Sequence, residues 1–581
     1  MGIPLYFKII SDKYSDIIID TLDTTAITTD NTTANIDIIN HLFLDLNCAI
    51  HPCCRNFLKT IDNYNYILKN EYEKKMINSV LNYIEKLVTF TNSNNVFISI
   101  DGVAPKAKMV QQRNRRFKSI KEKQEINKIK DELNMDIQNS WDTNSISPGT
   151  EFMNKLNNAI KLAIDTNPFY KNKKVIFSNS NVAGEGEHKI LKYIKQTDID
   201  GNIIIYGLDA DLIMLALVSK KQNCFLLREA VEFGITDYDR LLYLSIDELK
   251  YYIIADLNEK FIDIDPLYST NPKKKMFESH FIMDYIFICF LLGNDFIPHI
   301  PAISLRNGGI DKILKIYLNI LNTFDKPIIE NNKLNNEIFI QFIRKLSLIE
   351  NELAIISHKK RIHSKPYFKA ETEYDRRCEY LNNLPSLCQE TKDTEKYINM
   401  GSKYWRDRYY NKTMGLKTPD EIKRLCQDYI KTLKWTFLYY FDECPSFYWS
   451  YNYSYGPSIT DIYNYIKESA YFNFNSIKFS KKMPYSSLIQ LLSILPPESK
   501  HLLPNELQYL FGDKSQLYMF YPNDYKLNML YKKYYWMCEP NLPIINVEYI
   551  QMVLDNMKIS SKSKKLYIRQ KIYTKMPILN K

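Results

Sequence analysis

The stretch that most constrains the fold is residues 174–211, because two short apolar runs in it each lead into a cluster of acids. The run at 175–177 precedes the sequence GEGEH, and the run at 203–206 ends in GLDAD. Both runs are followed by helix-like patterns, which is typical of the strand–loop–helix units of a parallel sheet. Since ligands bind at the carboxyl ends of such strands, we expect the acids of the two loops to meet at one edge of the sheet.

The chemistry of these acids predicts a metal site. They are Glu185, Glu187, Asp209 and Asp211. Carboxylates crowded at one edge need a counter-charge, and hard divalent cations such as Mg²⁺ favour oxygen ligands. The alternative is that Glu187 and Asp211 only stabilise helix N-termini, where a negative side chain is favoured. That alternative leaves Glu185 and Asp209 without a role, so we favour the metal site.

Three further acids occupy comparable places. Asp45 ends the strand predicted within residues 41–51, and His51 lies just beyond it. Asp101 ends the strand NVFISIDG, and Asp295 follows the apolar helix MDYIFICFLLG, where it could be no more than a turn residue. Because acids coincide with several strand ends of one pattern, we expect all seven to share the metal site. The predicted fold class is α/β, with a mainly parallel central sheet flanked by helices.

The sequence directly after Asp101 is strongly basic. Residues 104–130 form a helical pattern rich in lysine and arginine. One face of this helix, at positions i, i+4, i+7 and i+8, carries Lys108, Gln112, Arg115 and Arg116. These side chains suit a terminal phosphate, because arginine offers a planar fork and lysine a point charge. The alternative is a solvated basic face, which we disfavour because the helix starts at the same edge as the acids.

Length, cysteine usage and apolar runs set the broad class. A chain of 581 residues is too long for one ordinary core and suggests roughly two or three domains. Ten cysteines without a CxxC pair or zinc-type spacing, and no signal peptide, predict a reducing intracellular compartment. We expect the cytoplasm and leave the nucleus open. The longest apolar run, 285–292, is too short to span a bilayer, so we expect no membrane association.

A series of motifs covers about residues 1–315, and in order they are FLDLN, DGVAPKAKMVQQRNRRF, SPGTEFM, GEGEHK, YGLDADLIML and GNDFIPHIP. This series resembles that of the 5′→3′ exoribonucleases of the XRN family. The chain departs from the family pattern at Ala183, where a proline is usual, and at Cys48 and Ala49. Neither departure removes an acid.

The resemblance implies a nuclease fold related to the flap endonucleases, and phosphodiester hydrolysis with Mg²⁺ or Mn²⁺. It assigns metal binding to the seven acids, which are Asp45, Asp101, Glu185, Glu187, Asp209, Asp211 and Asp295. It assigns binding of a 5′-monophosphate to Lys108, Gln112, Arg115 and Arg116, and stacking on the first base to His51. The implied substrate is single-stranded RNA with a 5′-monophosphate, degraded to nucleotides in RNA (mRNA) decay. We expect no small-molecule cofactor and a monomeric chain.

A second similar region lies at about 425–545. The stretches WTFLYYFDECPSFYWSYNYSYGPSITDI, LPPESKHLLP and YYWMCEPNLPII resemble the family's second conserved region. By this resemblance Trp449 grips the terminal base together with His51, since stacking of bases on aromatic rings tolerates any sequence. The alternative for Trp449 is ordinary core packing.

The resemblance and the charge pattern together predict the domain organisation. We expect a nuclease domain at 1–315, a helical connecting region at 316–400, a second region at 401–557 that closes over the active site, and a flexible basic tail at 558–581. Two other functions stay open. A flap-endonuclease-like DNA nuclease would share the acidic edge, but neither the QQRNRRF helix nor the second region resembles those enzymes. An inert RNA-binding scaffold would not need the seven acids, all of which are present.

Overall fold

A seven-stranded sheet organises the first half of the molecule. The structure is a computed structural model that describes residues 6–22, 39–235, 237, 240–266, 278–303, 308–568 and 570–572. In chain order the strands are β1 (Ile18–Ile19), β2 (Asn40–Asp45), β3 (Asn95–Ser99), β4 (Lys174–Ser178), β5 (Val182–Ala183), β6 (Asn202–Tyr206), β7 (Cys224–Glu229), β8 (Leu241–Ser245), β9 (Ile329–Glu330), β10 (Lys333–Leu334), β11 (Leu527–Asn528), β12 (Glu539–Pro540) and β13 (Lys571–Ile572).

The main sheet has the order β1-β8-β7-β6-β2-β3-β4. Its five strands from β7 to β4 run parallel, whereas β8 is antiparallel to both β7 and β1. The mainly parallel sheet that the sequence predicts is therefore confirmed. The remaining short strands form three two-stranded pairs, one of which joins β13 to β5.

Helices cover the sheet and build the second half of the chain. In chain order they are α1 (Tyr6–Lys13), α2 (Asn47–Leu58), α3 (Lys69–Phe90), α4 (Lys106–Glu132), α5 (Glu151–Thr166), α6 (Gly186–Gln196), α7 (Ala210–Val218), α8 (Ile246–Ile262), α9 (Glu278–Cys289), α10 (Gly309–Phe324), α11 (Asn336–Ile362), α12 (Glu373–Leu387), α13 (Gln389–Ile398), α14 (Trp405–Met414), α15 (Pro419–Phe441), α16 (Ile459–Glu468), α17 (Ser487–Ile494), α18 (Val547–Asp555) and α19 (Ser561–Tyr567). None of the described helices has the length and apolarity needed to cross a bilayer.

Alternate residues of each parallel strand enter different cores. On β2, Phe43 packs in the core that α6 and α7 cover. Its neighbours Leu42 and Leu44 pack in the core that α2, α3 and α5 cover. Burial on both faces explains why these strands are continuous apolar runs in the sequence. Because helices occupy both faces, only the strand ends are left to form a site.

The second half of the chain packs directly on the first. Apolar residues of α9 to α11 and of α14 to α16 belong to the same core as α6 and α7. A third core lies under the basic helix α4, where Met109 and Phe117 pack with residues of α17 and α18. The helix that carries the predicted phosphate-binding face is thus held by residues more than 350 positions later in the chain.

Two predicted features differ from the structure. The strand within residues 41–51 ends at Asp45, as predicted, but helix α2, which begins at Asn47 and carries His51, is not predicted from the sequence. The reason for the helix is the spacing of the buried residues Ala49, Ile50, Cys53 and Cys54, which is helical.

The basic tail predicted to be flexible at 558–581 is ordered where the structure describes it. It forms α19, and then β13 pairs in parallel with β5. The reason is that a polar side chain of the tail is buried and forms hydrogen bonds. Gln570 is 7% exposed and bonds main-chain groups of Val103 and Ser180. Residues 573–581 lie outside the described part of the chain.

Candidate active site

The strand order of the sheet changes direction between β2 and β6. From β2 the sheet continues to β3 and β4 on one side, and to β6 and β7 on the other. Loops that follow such neighbouring strands diverge and leave a crevice, where open α/β sheets bind their ligands. A cavity of about 840 Å³ lies at this point, and its wall includes the residues that follow both strands.

Six of the seven predicted acids line this cavity. They are Asp45, Asp101, Glu185, Glu187, Asp209 and Asp295. The seventh, Asp211, is 3% exposed and lies close enough to Asp295 for the two charges to interact. The structure therefore brings together all the acids that the sequence selects. Their roles as metal ligands remain predictions.

A glycine allows these acid-bearing loops to meet. A Cβ atom on Gly186 would lie 2.5 Å from Asp45 Oδ1 and 3.4 Å from Asp101 Oδ1. Instead, the Gly186 N–H donates to Asp101 Oδ1 at 2.7 Å. Asn47 Nδ2 donates to the other oxygen of Asp101 at 3.1 Å. The middle residue of GEGEH thus has no room for a side chain, because the ends of β2 and β3 close on it.

Burial leaves several carboxylate oxygens of the cluster without a donor. Asp45 Oδ1, Glu187 Oε2 and Asp211 Oδ1 are buried and have no hydrogen-bond partner. Burial, and then neighbouring carboxylates, raise the pKa of Asp45 and of Glu187 well above their ordinary values. The same two causes raise the pKa of Asp211 to about 7. Crowded carboxylates that lack donors are the kind of group that a bound cation stabilises.

The donor set fits a hard divalent cation, because it consists of carboxylate oxygens. As they stand, no three His, Cys, Asp or Glu side chains in the described part of the chain are arranged to hold a metal ion. One reason is Lys108, whose Nζ lies 2.6 Å from Glu185 Oε2 and 2.9 Å from Asp295 Oδ2. This lysine already supplies counter-charge to two acids, so the unpartnered oxygens of Asp45, Glu187 and Asp211 are those left for a cation.

The predicted polar face of α4 lies in the same cavity, where Gln112, Arg115 and Arg116 are wall residues with Lys108. Arg116 Nη1 donates to Asn144 Oδ1 at 2.9 Å, while Arg116 Nε and Gln112 Oε1 are buried without a partner. Burial, and then the charge of Arg115, lower the pKa of Arg116 to about 9. No ion pair within the described residues joins either arginine to a carboxylate. Guanidinium groups that line a cavity and have no carboxylate partner are suited to bind an anion.

His51 lies on the wall of the cavity, close enough to Arg115, Arg116 and Asp209 for their charges to act on it. Burial, and then the charges of Arg115 and Arg116, lower the pKa of His51 to about 4. Its imidazole is therefore neutral at pH 7. A neutral ring on the wall of a basic cavity is suited to stack on a base.

Trp449 lies elsewhere and is not among the described residues that line the cavity. Its indole Nε1 donates to Thr432 Oγ1 at 3.1 Å, and Lys431 Nζ lies 4.1 Å from the ring centroid. Both partners belong to α15. Because its contacts are with this helix, the core-packing alternative for Trp449 is the one that the geometry favours.

Two side chains that hold the acids carried no signal in the sequence. Arg228 Nη2, on β7, donates to the main-chain oxygen of Asp209 at 2.9 Å. The Tyr439 hydroxyl, on α15, donates to Glu185 Oε1 at 2.6 Å. Neither residue has a spacing relation to the acids, so only the tertiary contacts reveal them.

The C-terminal segment (residues 561–568 and 570–572) also reaches the site. Gln570 Oε1 accepts a hydrogen bond from the Val103 N–H at 2.8 Å, and its Nε2 donates to the Ser180 main-chain oxygen at 2.9 Å. These two atoms lie in the loops that follow β3 and β4. Gln570 therefore ties together the loops that carry Asp101 and Glu185.

Two family models match the chain. The model described as "XRN 5'-3' exonuclease N-terminus" matches residues 1–230. The model described as "Xrn1 helical domain" matches residues 276–384 and 363–565. The first match contains the whole main sheet except β8, and the second contains Asp295 and α15.

Similar proteins occur in distant organisms. The chain is 29% identical over 603 residues to a "5'-3' exoribonuclease 1" of Homo sapiens, an alignment that covers 94% of the chain and 33% of that protein. It is 26% identical over 690 residues to a "5'-3' exoribonuclease 2" of Arabidopsis thaliana, covering 94% of the chain and 66% of that protein. A "5'-3' exoribonuclease 2 homolog" of Drosophila melanogaster is 28% identical over 652 residues, covering 94% and 70%. The chain thus spans only a third of its human relative.

Proposed function

Because the chain belongs to the XRN 5′-3′ exonuclease family, we propose that it is a 5′→3′ exoribonuclease. Its substrate is single-stranded RNA with a 5′-monophosphate, which it hydrolyses to nucleotides with Mg²⁺ or Mn²⁺ in RNA decay. The observation that carries this proposal is the composition of one cavity wall. The same cavity is lined by carboxylates with oxygens that lack hydrogen-bond donors and by arginines that have no carboxylate partner.

The acids with unpartnered oxygens would hold the metal ions, and they are Asp45, Glu187 and Asp211, with Asp101 and Asp209 beside them. Bound divalent cations supply an activated water and stabilise the leaving oxygen of the phosphodiester. Without such ions the carboxylates would repel the scissile phosphate. Lys108 already lies among these acids and offsets part of their charge.

The arginines set the direction of degradation. Arg115 and Arg116 receive the terminal phosphate, with the Gln112 side chain beside them. From Lys108, which contacts the acids, to Arg116 is eight residues of α4, or about 12 Å along the helix. An RNA end anchored by its phosphate therefore places a bond close to that end at the acids. Cleavage there releases a short product, and the new 5′-phosphate can bind in turn.

His51 holds the first base by stacking, since its neutral ring lies near both the phosphate-binding arginines and the acids.

We place the activity in the cytoplasm, in keeping with ten cysteines that are all free thiols. We also propose that the protein acts as a monomer and needs no small-molecule cofactor.

The proposal is tested by separating hydrolysis from binding. Asp209→Ala and Asp211→Ala should abolish turnover in Mg²⁺, because they remove metal ligands. Both variants should bind 5′-phosphorylated RNA as the wild type does in Ca²⁺, because the arginine wall is intact. Asp198→Ala is the matched control, since Asp198 is an exposed acid on the loop before β6. Wild-type turnover in both cluster variants would show that the acids hold no catalytic metal.

A further inference from the structure

We propose that Tyr439 and Tyr440, at the end of α15, are positioning residues that act on two acids of the cluster in the first half of the chain. Tyr439 fixes Glu185, and Tyr440 acts on Asp211. This inference rests on the proposed function, because Asp211 is taken there as a metal ligand and Glu185 belongs to the same acidic cluster.

Tyr439 determines the orientation of Glu185. Its hydroxyl donates to Glu185 Oε1 at 2.6 Å, and the bond is buried. The other oxygen, Oε2, lies 2.6 Å from Lys108 Nζ. Each oxygen of this carboxylate therefore has its own donor, and both donors come from helices other than the one that begins at Gly186.

The ring of Tyr439 is itself fixed on several sides. It stacks on His188 with ring centroids 3.7 Å apart, and on Trp435 with centroids 4.6 Å apart. The edge of Phe296 meets it at 5.3 Å. His188 lies next to Glu187, and Phe296 lies next to Asp295 in the chain. A ring held between these partners gives its hydroxyl one direction, which points at Glu185.

Tyr440 lies beside Asp211, the most buried acid of the cluster. Its hydroxyl is close enough to the Asp211 carboxyl for the two groups to interact. The Asp211 Oδ1 atom has no hydrogen-bond partner, so this oxygen is left for another ligand. The ring meets Phe290 edge-on with centroids 5.0 Å apart. The main-chain oxygen of Tyr440 accepts a hydrogen bond from Lys195 of α6 at 3.4 Å, which ties the end of α15 to the helix that carries Glu187.

Both hydroxyls are suited to this task. A phenol is protonated at neutral pH, so both groups can donate a hydrogen bond to a carboxylate. A donor bonded to a carboxylate favours its ionised form, which is the form that binds a metal ion. Residues that hold metal ligands in this way commonly affect metal affinity or activity by about 10–100-fold.

The placement of these tyrosines gives the second half of the chain a role in the metal site. The acids that they hold lie within residues 1–230, whereas α15 lies within the region matched as a helical domain. The acidic cluster is thus completed by a helix that begins about 200 residues after the last acid of the main sheet. The first half alone would leave Glu185 and Asp211 without these donors.

The test removes each hydroxyl and nothing else. Tyr439→Phe, Tyr440→Phe and the double variant are compared with Tyr409→Phe, whose hydroxyl is also buried but bonds the main-chain oxygen of Gly456. Mn²⁺ binding to the RNA-free full chain is measured by titration, and kcat is measured as a function of Mg²⁺ concentration. We expect Mn²⁺ binding about tenfold weaker in each single variant. We also expect kcat to recover at high Mg²⁺, KM for RNA to stay unchanged, and Tyr409→Phe to match the wild type.

The possible failures are distinct. Absence of Mn²⁺ binding to the wild-type chain would overturn the proposed function itself. Wild-type Mn²⁺ affinity and Mg²⁺ dependence in the Tyr439 and Tyr440 variants, in a chain that does bind Mn²⁺, would overturn only the positioning role. A fall in Tm without any change in Mn²⁺ affinity would likewise overturn it, because it would make the hydroxyls purely structural.

Discussion

The positively charged residues of the cavity fall into two groups, one paired with acids and one not. Lys108 is paired with Glu185 and Asp295, so its charge is compensated. Arg115 and Arg116 lie on the same face of α4, yet no carboxylate is paired with them in the described part of the chain. We infer that Lys108 serves the acids, whereas the arginines are left for a phosphate. The loss of an arginine should therefore impair recognition of the RNA end more than folding.

Arg115→Ala should remove most of the preference for a 5′-monophosphate over a 5′-hydroxyl end. A charge-assisted phosphate contact contributes about 1.5–3 kcal/mol, so the ratio of kcat/KM values should fall by at least about tenfold. Arg115→Lys should restore the charge but not the planar fork, and so recover only part of the ratio. The measurement is a competition between RNAs of one sequence with different 5′ ends. Lys121→Ala is the control, because Lys121 lies on the same helix but pairs with Asp524. An unchanged ratio in Arg115→Ala would contradict the assignment.

His51 and Trp449 should behave differently when each is replaced by Ala. His51→Ala should slow degradation most at structured RNA, because a loosely held terminal base transmits less force to a duplex. Trp449→Ala should stall no more than the wild type but should lower the Tm, since the indole packs on α15. The readout is stalling at a hairpin in 5′-phosphorylated RNA. Stronger stalling in the Trp449 variant than in the His51 variant would contradict the structural placement.

The sequence predicts some of these residues and not others for a physical reason. Acids such as Asp45 and Asp209 follow apolar strands, and parallel strands bring their ends together whatever the details of packing. The Tyr439 hydroxyl reaches Glu185 only because α15 packs on the first half of the chain. Trp449 is a different case, because a matching motif does not show which way an indole points.

At the level of elements, the C-terminal segment is the least expected part of the site. Its strand β13 adds to β5, and Gln570 bonds the loops after β3 and β4. A run of basic residues gives no sign of such pairing, because the pairing depends on main-chain groups and one buried amide. The start of helix α2 is also hard to predict from the sequence, because the apolar residues of its first turn follow closely on those of β2.

Gln570→Ala should weaken the site through these loops. The Val103 N–H and the Ser180 oxygen would lose their partner, and a buried unpaired group costs about 1–3 kcal/mol. We expect a lower Tm and a higher Mg²⁺ requirement, with RNA binding in Ca²⁺ unchanged. Gln508→Ala is the matched control, because this half-buried amide bonds the Leu503 oxygen away from the cavity. A normal Tm and Mg²⁺ dependence in Gln570→Ala would show that the contact is passive.

Over the whole molecule, both halves of the chain contribute to one cavity. The acids of the sheet meet Asp295, and the basic helix rests on a core built largely from the last hundred residues. The α/β class and the acidic edge are predictable from the sequence because they depend on short-range patterns. The contacts between the halves are not predictable, since they depend on how separate amphipathic helices pack against each other.

The acidic cluster should make the stability of the metal-free protein fall as pH rises. The folded state raises the pKa of Asp211 from 3.8 to about 7 and raises those of Asp45 and Glu187 as well. At pH values between the ordinary and the raised carboxyl pKa values, the folded chain therefore binds more protons than the unfolded chain. This difference in bound protons favours the folded state at acidic pH. This contribution to the free energy of unfolding is full below the ordinary carboxyl pKa and is lost as pH rises through the folded values. We expect the Tm in EDTA to fall between about pH 5 and about pH 8.

Divalent cations and one substitution provide the controls for this pH dependence. Mg²⁺ should raise the Tm most at the alkaline end, where the carboxylates are ionised and repel each other. Asp211→Asn should flatten the Tm profile in EDTA, because it removes one of the titrating groups. A Tm in EDTA that rises steadily across the window would contradict the raised pKa values of these acids.

We propose above that the cavity uses divalent cations to degrade RNA from a 5′-phosphorylated end. The most direct test of this proposal is a time course on RNA of one sequence, with a 5′-monophosphate or a 5′-hydroxyl end, in Mg²⁺ or in EDTA, with all products resolved by length. We predict that Mg²⁺ supports conversion of the 5′-monophosphorylated RNA to mononucleotides, that the 5′-hydroxyl RNA stays largely intact, and that EDTA stops both. Equal digestion of the two RNAs, internal fragments as the first products, or undiminished digestion in EDTA would contradict the account.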